Sequence, residues 1–180
     1  MPLYQHCGKM SPNMTDKEND SNYYQKQFDQ AYRPAVGIAL FNSENKILVA
    51  ERVDSHGAWQ LPQGGIDEGE DPETALFREM KEEIGTDKAE IIAVMDEWLY
   101  YDFPPHILKK FENQYRGQRQ MWFALRFTGK DSDINLNTHE TPEFRNWKWI
   151  EIDKILEYVV HFKRESYERI VKEFSKNLGI

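Results

Sequence analysis

Apolar residues fall in short blocks separated by polar, turn-forming stretches, and the spacing inside each block predicts its element. Residues 35–41 are an unbroken apolar run too short for a typical helix, which predicts a buried strand. Residues 42–45 supply a turn, and 46–53 return as the second strand of a hairpin. Residues 59–62 predict a short strand. Residues 89–101 mix apolar and aromatic positions and predict another. Pro104 and Pro105 then break the chain, so 102–118 reads as a loop or short helix carrying Lys109, Lys110 and Arg116. Residues 120–127 form a partly alternating strand, a polar loop follows to Pro142, and 147–150 alternate as a strand. From about 163 to 178, Tyr167, Ile170, Val171 and Phe174 recur at helical spacing. With a further helix between Asp71 and Gly85, the pattern predicts an α/β (α+β) fold in which a mixed β-sheet is sandwiched between helices. Residues 1–31 are polar, lack a period and read as a disordered tail before one folded domain over 32–180; Met10 and Met14 offer alternative starts within it.

Composition narrows the function. A chain of 180 residues is enough for one domain with a proper core. The net charge of −8 argues against a protein that coats duplex DNA or RNA through its phosphates, but not against one that grips a single end with a few local cations. No apolar run is long enough to span a bilayer, so no membrane partner is expected, and no secretory leader is recognisable. The single cysteine, Cys7, rules out a disulfide within the chain and suits a reducing, cytoplasmic compartment. His6 and Cys7 have no second pair at zinc spacing.

The chemistry concentrates between Gly64 and Gly85. Asp71 is placed to cap a helix, Pro72 fits its first position, and Gly85 is placed to end it in a left-handed turn. At roughly 100° per residue, Leu76, Met80 and Ile84 share one side of it. Glu79, Glu82 and Glu83 cluster beside them, with Glu70 able to fold back from the preceding loop. Carboxylates so spaced repel one another and weaken an isolated helix. Hard divalent cations with oxygen ligands offset that repulsion, with substrate phosphates completing the shell. Arg78 can orient a carboxylate by a bidentate pair, and Gly64 and Gly65 allow backbone to approach a metal or phosphate.

From Gly64 the pattern is G-x5-E-x7-R-E-U-x-E-E-x-G-U, with U apolar; Gly64, Glu70, Arg78, Glu79, Met80, Glu82, Glu83 and Gly85 match, and Thr86 departs from the last U. This resembles the Nudix box. The resemblance implies the Nudix fold and hydrolysis of a nucleoside diphosphate linked to another moiety, with Mg2+ or Mn2+. Beyond the box, Tyr32-Arg33-Pro34-Ala35-Val36-Gly37, Trp59-Gln60-Leu61-Pro62-Gln63-Gly64-Gly65, Gly117 to Phe123, Thr141-Pro142-Glu143-Phe144, Trp147-Lys148-Trp149 and Phe162-Lys163-Arg164 are similar to the bacterial RNA 5′-pyrophosphohydrolases and their dinucleoside-polyphosphate relatives. By that resemblance Gly64, Glu70, Glu79, Glu82, Glu83 and Glu143 belong to the metal site. Glu79, Glu82, Glu83 and Glu143 are the catalytic set, and the base stays open between Glu79, Glu82 and Glu143. Arg33 and Arg52 meet phosphates, Phe162 and Lys163 meet a base, and Tyr101, Gln118 and Arg119 stand near the substrate channel. Glu51 stands where a second basic residue is usual, which predicts weaker RNA binding or a shift toward small dinucleotides. Two partners remain in play, a 5′-triphosphorylated RNA end and a dinucleoside polyphosphate, beside a catalytically dead nucleotide-binding module.

Overall fold

The structure, a computed structural model, describes residues 31–112, 114–138 and 140–180. The expected tail, with His6, Cys7, Met10 and Met14, lies outside the described residues apart from Ala31. Eight strands form one mixed sheet: β1 (Tyr32–Phe41), β2 (Ile47–Arg52), β3 (Trp59–Gln60), β4 (Gln63–Gly65), β5 (Ala89–Val94), β6 (Leu99–Asp102), β7 (Gly117–Phe127) and β8 (Phe144–Ile150). Helices α1 (Pro72–Ile84), α2 (Pro105–Leu108) and α3 (Arg164–Leu178) complete it.

The unbroken apolar run in β1 follows from burial on both faces. Val36, Ile38 and Leu40 join Leu76, Met80 and Ile84 of α1 in one core, whereas Ala39 and Phe41 join Tyr167, Ile170 and Phe174 of α3 in the other. Strand β1 pairs in parallel with β7 along its whole length, from Tyr32 opposite Gly117 to Phe41 opposite Arg126. The expected hairpin holds only at its base: β1 and β2 pair at Phe41 and Ile47, then diverge. Beyond that point β2 pairs with β8 and β3, and β4 takes the vacated edge of β1. The divergence opens the sheet beside Gly64 and Gly65 on one arm and Arg52 on the other. The expected strand over 89–101 is two strands, β5 and β6, both on the same edge of β7 and separated by a bend at residues 95–98. No helix among the described residues is long and apolar enough to cross a membrane.

Helix α1 starts and stops where its sequence dictates. The Asp71 carboxylate accepts from the N–H groups of Glu73 and Thr74, both at 3.1 Å, with Pro72 next in line. Gly85 at φ 76° closes the helix by donating to Lys81 O. Asp71→Ala is expected to cost about 1 kcal/mol by orphaning those donors. That corresponds to a melting temperature lower by roughly 2–4 °C for a domain of this size, read by thermal denaturation.

Candidate active site

Helix α1 projects its glutamates toward the opened sheet, and each meets a different environment. Arg78 organises three of them. Its Nε and Nη2 donate to the two oxygens of Glu70, both at 2.8 Å, its Nη1 donates to Glu79 at 2.9 Å, and Nη1 also lies 3.5 Å from Glu82. A further bond from Nη2 to Gly65 O at 2.9 Å ties the guanidinium to β4. Glu70, held also by the Asp67 N–H, is kept ionised down to about pH 2, chiefly by Arg78. Glu82 is exposed. Burial pushes the pKa of Glu79 up, against the pull of Arg78. Its carboxyl lies directly over Gly64, where a Cβ would sit 1.8 Å from Cδ.

Glu83 is only 6% exposed. Its Oε2 accepts from the Gln63 N–H at 2.8 Å. Among the described residues its buried Oε1 meets no N–H or O–H donor, and the Glu143 carboxylate that faces it can bond to it only through a shared proton. Burial first, and Glu143 second, raise the pKa of Glu83 well above the carboxylate norm. Glu143 arrives from the loop before β8. Its carbonyl accepts from Val53 N at 2.9 Å, and its Oε1 accepts from Arg52 Nη1 at 2.8 Å.

Opposite the glutamates lies a cavity of about 540 Å3, lined by Gly64, Glu79 and Glu143 on one side and by Arg33, Arg52, Gln118 and Lys163 on others. Rings run along one wall: Phe162 to Tyr101 at 5.8 Å, Tyr101 to Phe103 at 5.9 Å, and Phe103 stacked on Phe111 at 4.9 Å. Lys163 is buried, with Nζ donating to Gln63 Oε1 at 3.1 Å and lying 5.3 Å from the Tyr101 ring centre. Burial, reinforced by the charge of Arg52, lowers its pKa to about 8. Gln63 thus joins the two sides: its N–H holds Glu83, and its side-chain oxygen accepts from Lys163 and from Gln120 Nε2 at 2.9 Å.

A cavity that sets cations and rings against a rank of glutamates suits a nucleotide polyphosphate, and the comparisons agree. Residues 31–170 match the NUDIX domain. The chain belongs to the Nudix family. It is 46% identical over 148 residues to the RNA pyrophosphohydrolase of Wolbachia pipientis subsp. Culex pipiens (strain wPip), covering 82% of this chain and 91% of that one. It is 51% identical over 149 residues to the RNA pyrophosphohydrolase of Acidiphilium cryptum (strain JF-5), covering 81% and 91%. Among solved structures, a C. elegans Ap4A hydrolase binary complex superposes with a TM-score of 0.59 at 22% identity, over 81% of this chain and 98% of that one. The E. coli dihydroneopterin triphosphate pyrophosphohydrolase gives 0.57 at 18% identity, over 79% and 98%. At those identities the solved structures establish the fold alone.

Of the residues singled out from sequence, Arg33, Arg52, Gly64, Glu79, Tyr101, Gln118, Glu143, Phe162 and Lys163 line the Nudix cavity, while exposed Glu82 and buried Glu83, further along α1, are not part of its lining. The structure refines three expectations. Glu70 accepts from Arg78 through both of its oxygens, so the role the structure shows for it is to hold that guanidinium. Arg119 alternates away from Gln118 along β7 and lies 4.8 Å over the Trp98 ring, outside the cavity lining. Glu51 is buried as a loop anchor outside the cavity lining, accepting from Gly57 N at 2.8 Å and facing His56 Nδ1 at 2.8 Å. Sequence reasoning missed Phe103 and Phe111, and carried Gln63 and Gln120 only within the family resemblance, with no role of their own. A signal for the glutamines existed: Gln118 and Gln120 recur at period two with the buried Trp122, polar residues on a face that should be apolar.

Nudix hydrolases generally use divalent cations, and the donors here fit one. No group of three or more His, Cys, Asp or Glu is gathered into a finished cage among the described residues. The fit rests on Glu83: a buried carboxylate oxygen without a donor, set against a second carboxylate, is unfavourable unless a proton or a cation is shared between them.

Proposed function

We propose that this Nudix enzyme hydrolyses the 5′-triphosphate of RNA, releasing pyrophosphate and leaving a 5′-monophosphate end from which decay proceeds in the cytoplasm. One observation carries the reading: Arg33, Arg52 and Lys163, with the rings of Tyr101 and Phe162, line the same cavity as Glu79 and Glu143. Relatives 46–51% identical that bear the name RNA pyrophosphohydrolase support it.

Glu79, Glu82, Glu83 and Glu143 would hold Mg2+ or Mn2+. When bound, the cation supplies charge neutralisation at the phosphate oxygens and a more acidic water. Glu70 keeps Arg78 in place, and Arg78 in turn fixes the direction of Glu79. Arg33, Arg52 and Lys163 bind phosphate oxygens by charge-assisted bonds. Phe162 and Tyr101 offer faces to a base. Turning Arg52 Nη1 from Glu143 to a phosphate oxygen frees Glu143 to face water and accept its proton.

The test compares triphosphorylated RNA with diadenosine tetraphosphate, both with Mg2+, by product analysis. Pyrophosphate released from RNA at the higher kcat/KM is the expected result. A preference for the dinucleotide by orders of magnitude would assign the dinucleoside-polyphosphate reading instead. No turnover of either would leave a nucleotide-binding module.

A further inference from the structure

Two arginines line the cavity, and they are held in opposite ways. Arg52 gives three of its five N–H groups to carboxylates: two parallel bonds to Asp54 at 2.8 Å and one to Glu143 at 2.8 Å. Arg33 has no ion pair and no side-chain hydrogen bond among the described residues. Its guanidinium carbon lies 5.4 Å from the centre of the Phe111 ring instead. Phe111 is itself fixed, stacked on Phe103 with the ring planes 7° apart. Strand β4 keeps the guanidinium's place clear, since a Cβ on Gly65 would stand 2.2 Å from Arg33 Nη2.

The segment carrying Phe111 is built to deliver it. Pro104 and Pro105 start α2 over the cavity, a 3-10 turn at Lys109–Phe111 follows, and Glu112 at φ 51° turns the chain away. Lys110, beside Phe111, reaches Asp54 at 3.6 Å from the β2–β3 loop, tying the segment across the cavity mouth.

We propose that Phe111 is the positioning residue for Arg33, holding an unpaired guanidinium at the cavity wall ready for a phosphate. An aromatic face attracts the cation yet leaves the N–H donors in the guanidinium plane uncommitted. A carboxylate partner neutralises the cation and takes donors that a phosphate would otherwise use, as at Arg52. The arrangement therefore gives the cavity one preorganised anion receptor and one whose donors are mostly committed to carboxylates. The proposal rests on the reading that the cavity takes a 5′-polyphosphate.

The experiment compares Phe111→Leu, which keeps apolar bulk without a π face, with Phe111→Tyr, which keeps the face. Binding is read by calorimetry with α,β-methylene ATP and Mg2+, and kinetics with triphosphorylated RNA. Phe111→Leu is expected to weaken both Kd and KM roughly three- to tenfold with kcat and melting temperature nearly unchanged, and Phe111→Tyr to restore them. In an Arg33→Ala background the Leu substitution is expected to have no further effect on Kd. Unchanged Kd in Phe111→Leu, or an equal loss in the Arg33→Ala background, overturns the proposal. Should the parent release no pyrophosphate from RNA while Phe111→Leu still weakens nucleotide binding, the substrate reading falls and the role of Phe111 stands.

Discussion

Replacing Glu83 by Gln is expected to lower turnover about 1000-fold while leaving the fold in place. The amide keeps an oxygen to accept from the Gln63 N–H, now 2.8 Å from Oε2, and loses only the charge. The charge is what a cation needs and what the metal-free protein tolerates poorly. With burial, Glu143 and Glu79 all raising its pKa, the folded state holds the Glu83 proton more tightly than the unfolded chain does. A group of that kind contributes its full stability below the ordinary carboxylate pKa, near 4.3, and loses it as pH climbs from there toward the folded value. Without divalent cations, the parent's melting temperature should therefore fall relative to Glu83→Gln as pH rises above about 4.5. Adding Mg2+ should reverse the order, stabilising the parent more at higher pH because the ligands must be ionised to bind, and leaving the variant unmoved. Retained turnover in Glu83→Gln would remove the residue from the reaction.

The parts of this site that a sequence displays are those fixed by neighbours close in the chain. Asp71, Pro72 and Gly85 act within one helical turn of where they stand, so cap, start and stop were legible, as was the grouping of Glu79, Glu82 and Glu83 on α1. Glu143 was legible only by resemblance; its position depends on β8 pairing with β2 and on a backbone bond to Val53. What stayed hidden depends on which strand lies beside which. The hairpin of β1 and β2 is plain in the pattern, but its divergence after one pair is set by β8 competing for β2. Glu70 has the same carboxylate as its neighbours, and only the reach of Arg78 shows that both its oxygens are committed. Phe103 and Phe111 sit in a stretch that reads as loop, because a single turn of α2 and a 3-10 turn have no periodicity to recognise. Gln63 and Gln120 look like polar interruptions until the fold brings Lys163 onto the same oxygen.

Two glycines, Gly64 and Gly37, offer the sharpest separation of chemistry from stability, because alanine at each meets a different obstacle. At Gly64 the new methyl would stand 1.8 Å from Cδ of Glu79 and 1.9 Å from its Oε2. That is the far end of a flexible side chain, so the conflict resolves when Glu79 swings away. Gly64→Ala should accordingly fold with a melting temperature within a few degrees of the parent. It should lose about 100-fold in kcat/KM, the order expected when a reacting constellation is displaced by an ångström or more. At Gly37 the methyl would stand 2.3 Å from the ring of Trp122. That ring is fully buried, donates to Gln120 Oε1 at 3.1 Å and packs edge-on against Tyr167, and has nowhere to go. Gly37→Ala should cost about 3 kcal/mol by overpacking, lowering the melting temperature by roughly 6–12 °C, and keep near-normal activity per folded molecule. Thermal denaturation and steady-state kinetics on the pair decide the matter. Full activity in Gly64→Ala would mean that Glu79 does not work where its carboxyl now lies. A collapse like that of Gly37→Ala would make Gly64 a packing residue, and the approach of β4 to α1 a matter of stability alone.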